Sequence, residues 1–182
     1  ECVGTHDHAM NRYLEQVLGS ADAVSRIRQR AAAIHDATMR GIAPRDGVLA
    51  FLEEARSLQL RIGLATSSTR SWIDRFLHEL NLARYFDAIK TRDDVANIKP
   101  DPELYLRAVE ALGVHPAEAL AFEDSLNGSV AAVSAGLRCV IVPNPVTERL
   151  PFEKYDLRIR SMGEHTLEDI ILRLQGEKQE NR

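Results

Sequence analysis

Three polar stretches, each directly after an apolar run, carry residue types that can handle anionic chemistry. After Leu60 to Thr66 (LRIGLAT) come Thr66, Ser67, Ser68 and Thr69, whose hydroxyls and backbone N–H groups can hold an oxyanion ahead of a helix. The same cluster would serve equally as a plain helix cap. After Phe86 to Lys90 a polar loop leads to Ile98-Lys99-Pro100-Asp101-Pro102. Prolines on either side of Asp101 restrict the backbone, so Lys99 leaves the loop in a limited direction and can neutralise an anion; a solvated loop lysine is the alternative. After Ala119 to Phe122 come Glu123, Asp124 and Ser125. Adjacent carboxylates repel, and a strand end beside Ala121 and Phe122 is a costly place for them unless a cation such as Mg²⁺ binds. Alternatively, Asp124 or Ser125 caps the next helix and Glu123 faces water.

Thr66, Lys99 and the Glu123-Asp124 pair lie 33 and then 24 residues apart, the spacing of successive strand–helix units. In an open parallel sheet the loops after the strands gather on one edge. An anion cradle, a held cation and a divalent-metal site meeting there form a phosphoryl-transfer pocket, because that chemistry depends on positioning and charge neutralisation.

The elements that must do this positioning follow from pattern. Residues from about His8 to Arg40 read as two helices parted near Gly19-Ser20, with Asp22 available to cap the second. Gly41-Ile42-Ala43-Pro44 breaks that pattern as a linker. Beyond it, helices are expected over Asp46 to Ser57, Arg70 to Leu80, Pro102 to Leu112 (Asp101 as N-cap), Leu126 to Ala135 (stopped by Gly136) and Leu167 to Leu174. Strands are expected over Leu60 to Thr66 as a buried run, Phe86 to Lys90, Ala119 to Phe122, Arg138 to Val142 and Leu157 to Ile159. This alternation implies an α/β fold, a parallel sheet with helices on both faces. The Gly176 to Arg182 tail is expected to fray.

Composition excludes several classes. Lys plus Arg number 23 against 27 for Asp plus Glu, a net charge of −4 with the signs well mixed, which argues against a nucleic-acid or anionic-membrane partner. Cys2 and Cys139 fit neither a disulfide framework nor a zinc site and read as free thiols. No apolar run approaches the ~18 residues that span a bilayer, and no signal-peptide order opens the chain, so a cytoplasmic protein is expected, with a monomer as the default.

The strings IGLATSS, IKPDPELY, and AFEDSLNG followed by AAVSAGL resemble the second to fourth motifs of the haloacid dehalogenase (HAD) superfamily, in the branch of β-phosphoglucomutase-like and sugar-phosphate phosphatases. The agreement runs from about Gly47 to Val142, and VPNPVT fits the continuation. The resemblance implies a Rossmann-like core over residues 42–182 and, at 1–41, the remnant of a small helical cap that closes over the pocket. It implies a Mg²⁺-dependent phosphohydrolase acting on a small phosphorylated metabolite, a sugar phosphate foremost. By position, Thr66 would hydrogen-bond the phosphoryl group beside the Ser67 amide, and Lys99 would balance its charge. Asp124 would hold Mg²⁺ with Glu123 assisting, while Ser68 and Arg70 could meet a second anionic group.

One departure is large. The family's first, central strand ends in a DxD motif, whose first Asp forms an aspartyl-phosphate and whose second is the general acid/base. No apolar strand with DxD precedes the cap-like region; His6-Asp7-His8 follows a Gly-Thr turn and reads as a cap-edge loop. The chain, opening on Glu1, is therefore expected to lack an N-terminal segment and to be inactive alone, the other option being a strand donated by a second polypeptide. A phosphoglucomutase, a non-catalytic binding protein on the same scaffold and, more distantly, a receiver-like domain are the competing readings.

Overall fold

A computed structural model describes residues 7–39 and 41–180. The chain divides into two compact units, one ending at Ala43 and one beginning at Pro44. The first holds α1 (Asp7–Leu18) and α2 (Ala21–Thr38). Ser20 caps α2, its side chain accepting from the Ala23 N–H at 3.3 Å. Asp22, expected as the cap, instead pairs with Arg26 at 2.9 Å, because it already lies inside the first turn, with its side chain on the surface. Asp7 and His8 are already helical; His6 and Cys2 lie outside the described residues.

The second unit alternates strands and helices: α3 (Val48–Ser57), β1 (Gly63–Ala65), α4 (Arg70–Glu79), β2 (Ala88–Lys90) and α5 (Glu103–Leu112) come first. Then follow β3 (Leu120–Glu123), α6 (Leu126–Ser134), β4 (Arg138–Ile141), β5 (Leu157–Arg158) and α7 (Leu167–Glu180). Every strand pairing is parallel: β1 with β2, and β3–β4–β5 in that order. The fold is α/β, as the alternation requires.

Sequence alternation fixes what each face of the three-stranded sheet buries. Cys139 and Ile141 of β4 join Tyr105 and Val109 of α5 and Ala131 and Ala132 of α6 in one core. Val140 and Val142 point the other way into a core with Phe51 and Ala55 of α3 and Ile170 and Leu174 of α7. Cys139, Val140 and Ile141 are all 0% exposed. Burial first, and then the Glu123 charge, push the Cys139 thiol up to about 12, so it behaves as a core hydrophobe. A third core gathers Ile73, Leu77, Leu82 and Tyr85 against β1 and β2.

Among the described residues the two sheets share no strand pairing. Between the unpaired edges of β1 and β3 runs a cavity of about 1170 Å³, walled by residues 61–66 on one side and 117–124 on the other, with α3, α5 and α7 closing its faces. This corrects the expectation for LRIGLAT. Only Gly63–Ala65 forms a strand, Leu60 is 41% exposed and Leu64 is half-buried, because one edge of the segment opens into the cavity.

Two helix ends also differ from expectation. Pro102 takes the cap position of α5, though Asp101 still serves it by accepting from the Glu103 N–H at 2.9 Å. The closing helix runs through Gly176 to Glu180, since no proline or capping residue stops the good helix formers there. No helix among the described residues is long and apolar enough to cross a membrane.

Candidate active site

Parallel strands deliver their carboxyl ends to one side, and β1 and β3 meet there through a single side chain. Lys99 Nζ donates to the carbonyl of Ala65, the last residue of β1, at 2.9 Å, and pairs with Glu123 Oε1, the last residue of β3. The two side chains are 11% and 7% exposed. Burying both charges costs several kcal/mol each, and only further hydrogen bonds make such a pair tolerable. They are present. The Tyr105 hydroxyl donates to Glu123 Oε1, Ser125 Oγ donates to Oε2 at 3.3 Å, and the Lys99 ammonium stands 4.7 Å from the Tyr105 ring centre. Burial first, and the Glu123 charge second, raise the Tyr105 hydroxyl well above its usual range, so it stays protonated and donates. Gly128 in α6 lies directly against the Glu123 carboxylate, where a β-carbon would overlap it. Only glycine leaves that carboxylate its place.

Asp124 faces the other way, as successive residues at a strand end do. Its side chain is 47% exposed, its Oδ2 accepts from Asn144 Nδ2 at 2.9 Å, and Arg45 Nη1 lies 3.9 Å off. Arg45 itself is bonded to the carbonyls of Val142 (2.9 Å) and Pro143 (2.8 Å), just past β4. Thus the repulsion read from the sequence is relieved by division: Glu123 turns inward to a lysine, and Asp124 turns out toward the mouth. Ser125, and not Asp124, caps α6, accepting from the Gly128 N–H at 3.1 Å.

The turn after β1 is ordered by its own hydroxyls. Thr66 N–H extends the ladder to Lys90 (2.9 Å), and Thr66 Oγ1 accepts from the Ser68 N–H at 3.1 Å, which leaves the hydroxyl proton to be donated elsewhere. Thr69 caps α4. Arg70 gives its backbone N–H to Asp93 (2.7 Å), while its guanidinium lies along its own helix on Asp74, also at 2.7 Å.

Of the residues singled out in the sequence, Thr66, Lys99, Glu123 and Asp124 therefore line one cavity, whereas Ser67, Ser68 and Arg70 do not line it. Tyr105, Gly128, Asn144 and Arg45 were not singled out. Tyr105 carried a signal, since a tyrosine on the buried face of α5 needs a partner for its hydroxyl. Asn144 carried another, as the Asn of an Asn-Pro-Val-Thr turn.

Among the described residues no group of three or more His, Cys, Asp or Glu side chains is gathered as for a metal ion. Asp124 at the mouth suits Mg²⁺ nonetheless, since that ion binds through one or two carboxylates and keeps several waters.

Three comparisons bear on this arrangement. Residues 1–142 match the model of the haloacid dehalogenase-like hydrolase family. YhcW of Bacillus subtilis, which bears a provisional phosphatase name, is 48% identical over 155 residues, 85% of this chain and 70% of that protein. Hexitol phosphatase B of Escherichia coli K12 is 31% identical over 82% of this chain and 67% of its own length. The crystal structure of CbbY from Rhodobacter sphaeroides with phosphate superposes with a TM-score of 0.68 at 31% identity, over 79% of this chain and 65% of that one. A variant of the same protein was solved with xylulose-1,5-bisphosphate, again with a TM-score of 0.68. With a family model spanning 142 of 182 residues and such relatives beside it, the chain belongs to the haloacid dehalogenase-like hydrolases.

Proposed function

We propose that this chain is the larger part of a Mg²⁺-dependent phosphohydrolase acting on a small phosphorylated metabolite, with sugar phosphates as the substrate class. The observation that carries the reading is the meeting of Thr66, Lys99 and Asp124 around one mouth. In it the Thr66 hydroxyl donates to a phosphoryl oxygen beside the Ser67 amide, and Lys99 balances the charge gathered there. Asp124 holds Mg²⁺, which when bound neutralises phosphate oxygens. Glu123 serves Lys99 first and could assist at the metal only by loosening that pair. Ser68 and Arg70 would meet a second anionic group if Arg70 left Asp74. The hexitol phosphatase and the CbbY sugar-bisphosphate complex support the substrate class. Residues 1–41 act in this reading as part of a cap and 42–182 as the core, in a cytoplasmic monomer.

The nucleophile belongs to the cavity between β1 and β3. An extended segment there would pair with both unpaired edges, and an aspartate at its end would stand beside Lys99 and Asp124. No DxD occurs in the 182 residues, so the chain alone is expected to turn over nothing. Fusing an apolar strand ending in DxD ahead of the chain should create Mg²⁺-dependent hydrolysis of p-nitrophenyl phosphate. Asp124→Asn in that fusion should remove it by orders of magnitude with the fold intact. A folded, inactive fusion would sink the proposal in favour of a binding protein, and glucose-phosphate isomerisation without phosphate release would assign a mutase instead.

A further inference from the structure

Asn144 sits just past β4, where the parallel register of Glu123 with Ile141 carries it alongside Asp124. Its side-chain oxygen accepts from the N–H groups of Val146 (2.8 Å) and Thr147 (3.1 Å), and its own N–H donates to Thr147 Oγ1 at 3.0 Å. Thr147 is 1% exposed, so this turn is anchored from below. Two donors on the oxygen settle which way the amide faces, and its NH₂ is left pointing at Asp124 Oδ2, 2.9 Å away. A turn of this kind needs only the oxygen, which aspartate would supply as well. What asparagine adds is the donor.

The need for a donor lies on the far side of the carboxylate. Arg45, fixed on two carbonyls, holds its charge 3.9 Å from the same Oδ2. A small rotation of Asp124 would tighten this long ion pair to hydrogen-bonding distance and cover the carboxylate with a permanent cation. We propose that Asn144 is a positioning residue that holds Asp124 at this longer distance from Arg45 and so leaves the carboxylate open to a divalent ion. The role rests on the metal reading given above.

Mn²⁺ binding to the 182-residue chain, followed by water-proton relaxation, tests it. Asn144→Ala should weaken binding roughly tenfold as Asp124 falls to Arg45, and adding Arg45→Gln to that variant should recover most of the loss. Equal binding by the native chain and Asn144→Ala, or a loss that Arg45→Gln does not recover, would mean that Asn144 serves the turn alone and would overturn the role. Equal binding by the native chain and Asp124→Asn would sink the metal reading instead. In that event the side-chain NH₂ signal of Asn144 in nitrogen-15 spectra decides the positioning claim: Asp124→Ala should shift it, and an unmoved signal overturns the claim.

Discussion

β4 and β1 are both short, apolar and parallel, yet they live in different surroundings. β4 has a partner on each edge and a core on each face, and Cys139, Val140 and Ile141 are wholly buried. β1 comes from the longer apolar run but has one partner among the described residues, and its other edge opens on the cavity. Burial in a parallel sheet is therefore set by the neighbours a strand finds and only secondarily by its own hydrophobicity. What ties the weaker half to the stronger at the site end is the Lys99–Glu123 pair.

Breaking that tie should have the largest effect on the difference. Glu123→Ala leaves the Lys99 ammonium nearly buried without a counter-charge and should cost about 3–5 kcal/mol in urea unfolding. A loss below about 1 kcal/mol, the worth of a surface pair, would show the two halves to be independent. Next come paired truncations in the two strands. Ile141→Ala should cost roughly 3–4 kcal/mol and Leu64→Ala less than that, since the incompletely buried leucine loses less buried area. Equal costs would erase the contrast between the strands.

The smallest effect is acid sensitivity in the loop after β2. Asp94 accepts from Thr91 N–H at 2.7 Å and from its hydroxyl at 2.8 Å, and these bonds, the backbone one first, lower its carboxyl below the usual range. A carboxyl lowered in the folded state contributes stability that is present above the unfolded aspartate range and lost as pH falls through the folded value. Melting temperatures of the native chain and Asp94→Asn, taken from pH 6 downward, should therefore differ at pH 6 and converge in acid. A gap that stays constant with pH would refute the assignment.

How far the sequence spoke follows the same division. The run from β3 through α6 to β4 matches its expected limits to within about a residue, because each segment there obeys one periodicity and ends on a clear signal such as Gly136, at φ +85°. LRIGLAT misled because an apolar run reports what a strand could bury and says nothing of a missing neighbour. Within the site, residue types marked Thr66, Lys99 and Asp124, but not who holds them. Tyr105 meets Glu123 across 18 positions and Asn144 meets Asp124 across 20, contacts that exist only once the sheet register is set. Glu123 looked outward-facing or metal-bound for the same reason: its lysine lies 24 residues earlier in the chain.

The internal salt link has a bearing on selectivity. If the mouth takes a phosphate as proposed, Glu123 already neutralises Lys99 there, and a passing chloride or sulfate would meet no bare positive spot. An arriving anion must compete with a carboxylate already hydrogen-bonded in place, and only one that also finds the other groups around the opening gains enough to stay. On the proposed reading, discrimination against ambient salt would follow from the pairing of Lys99 with Glu123.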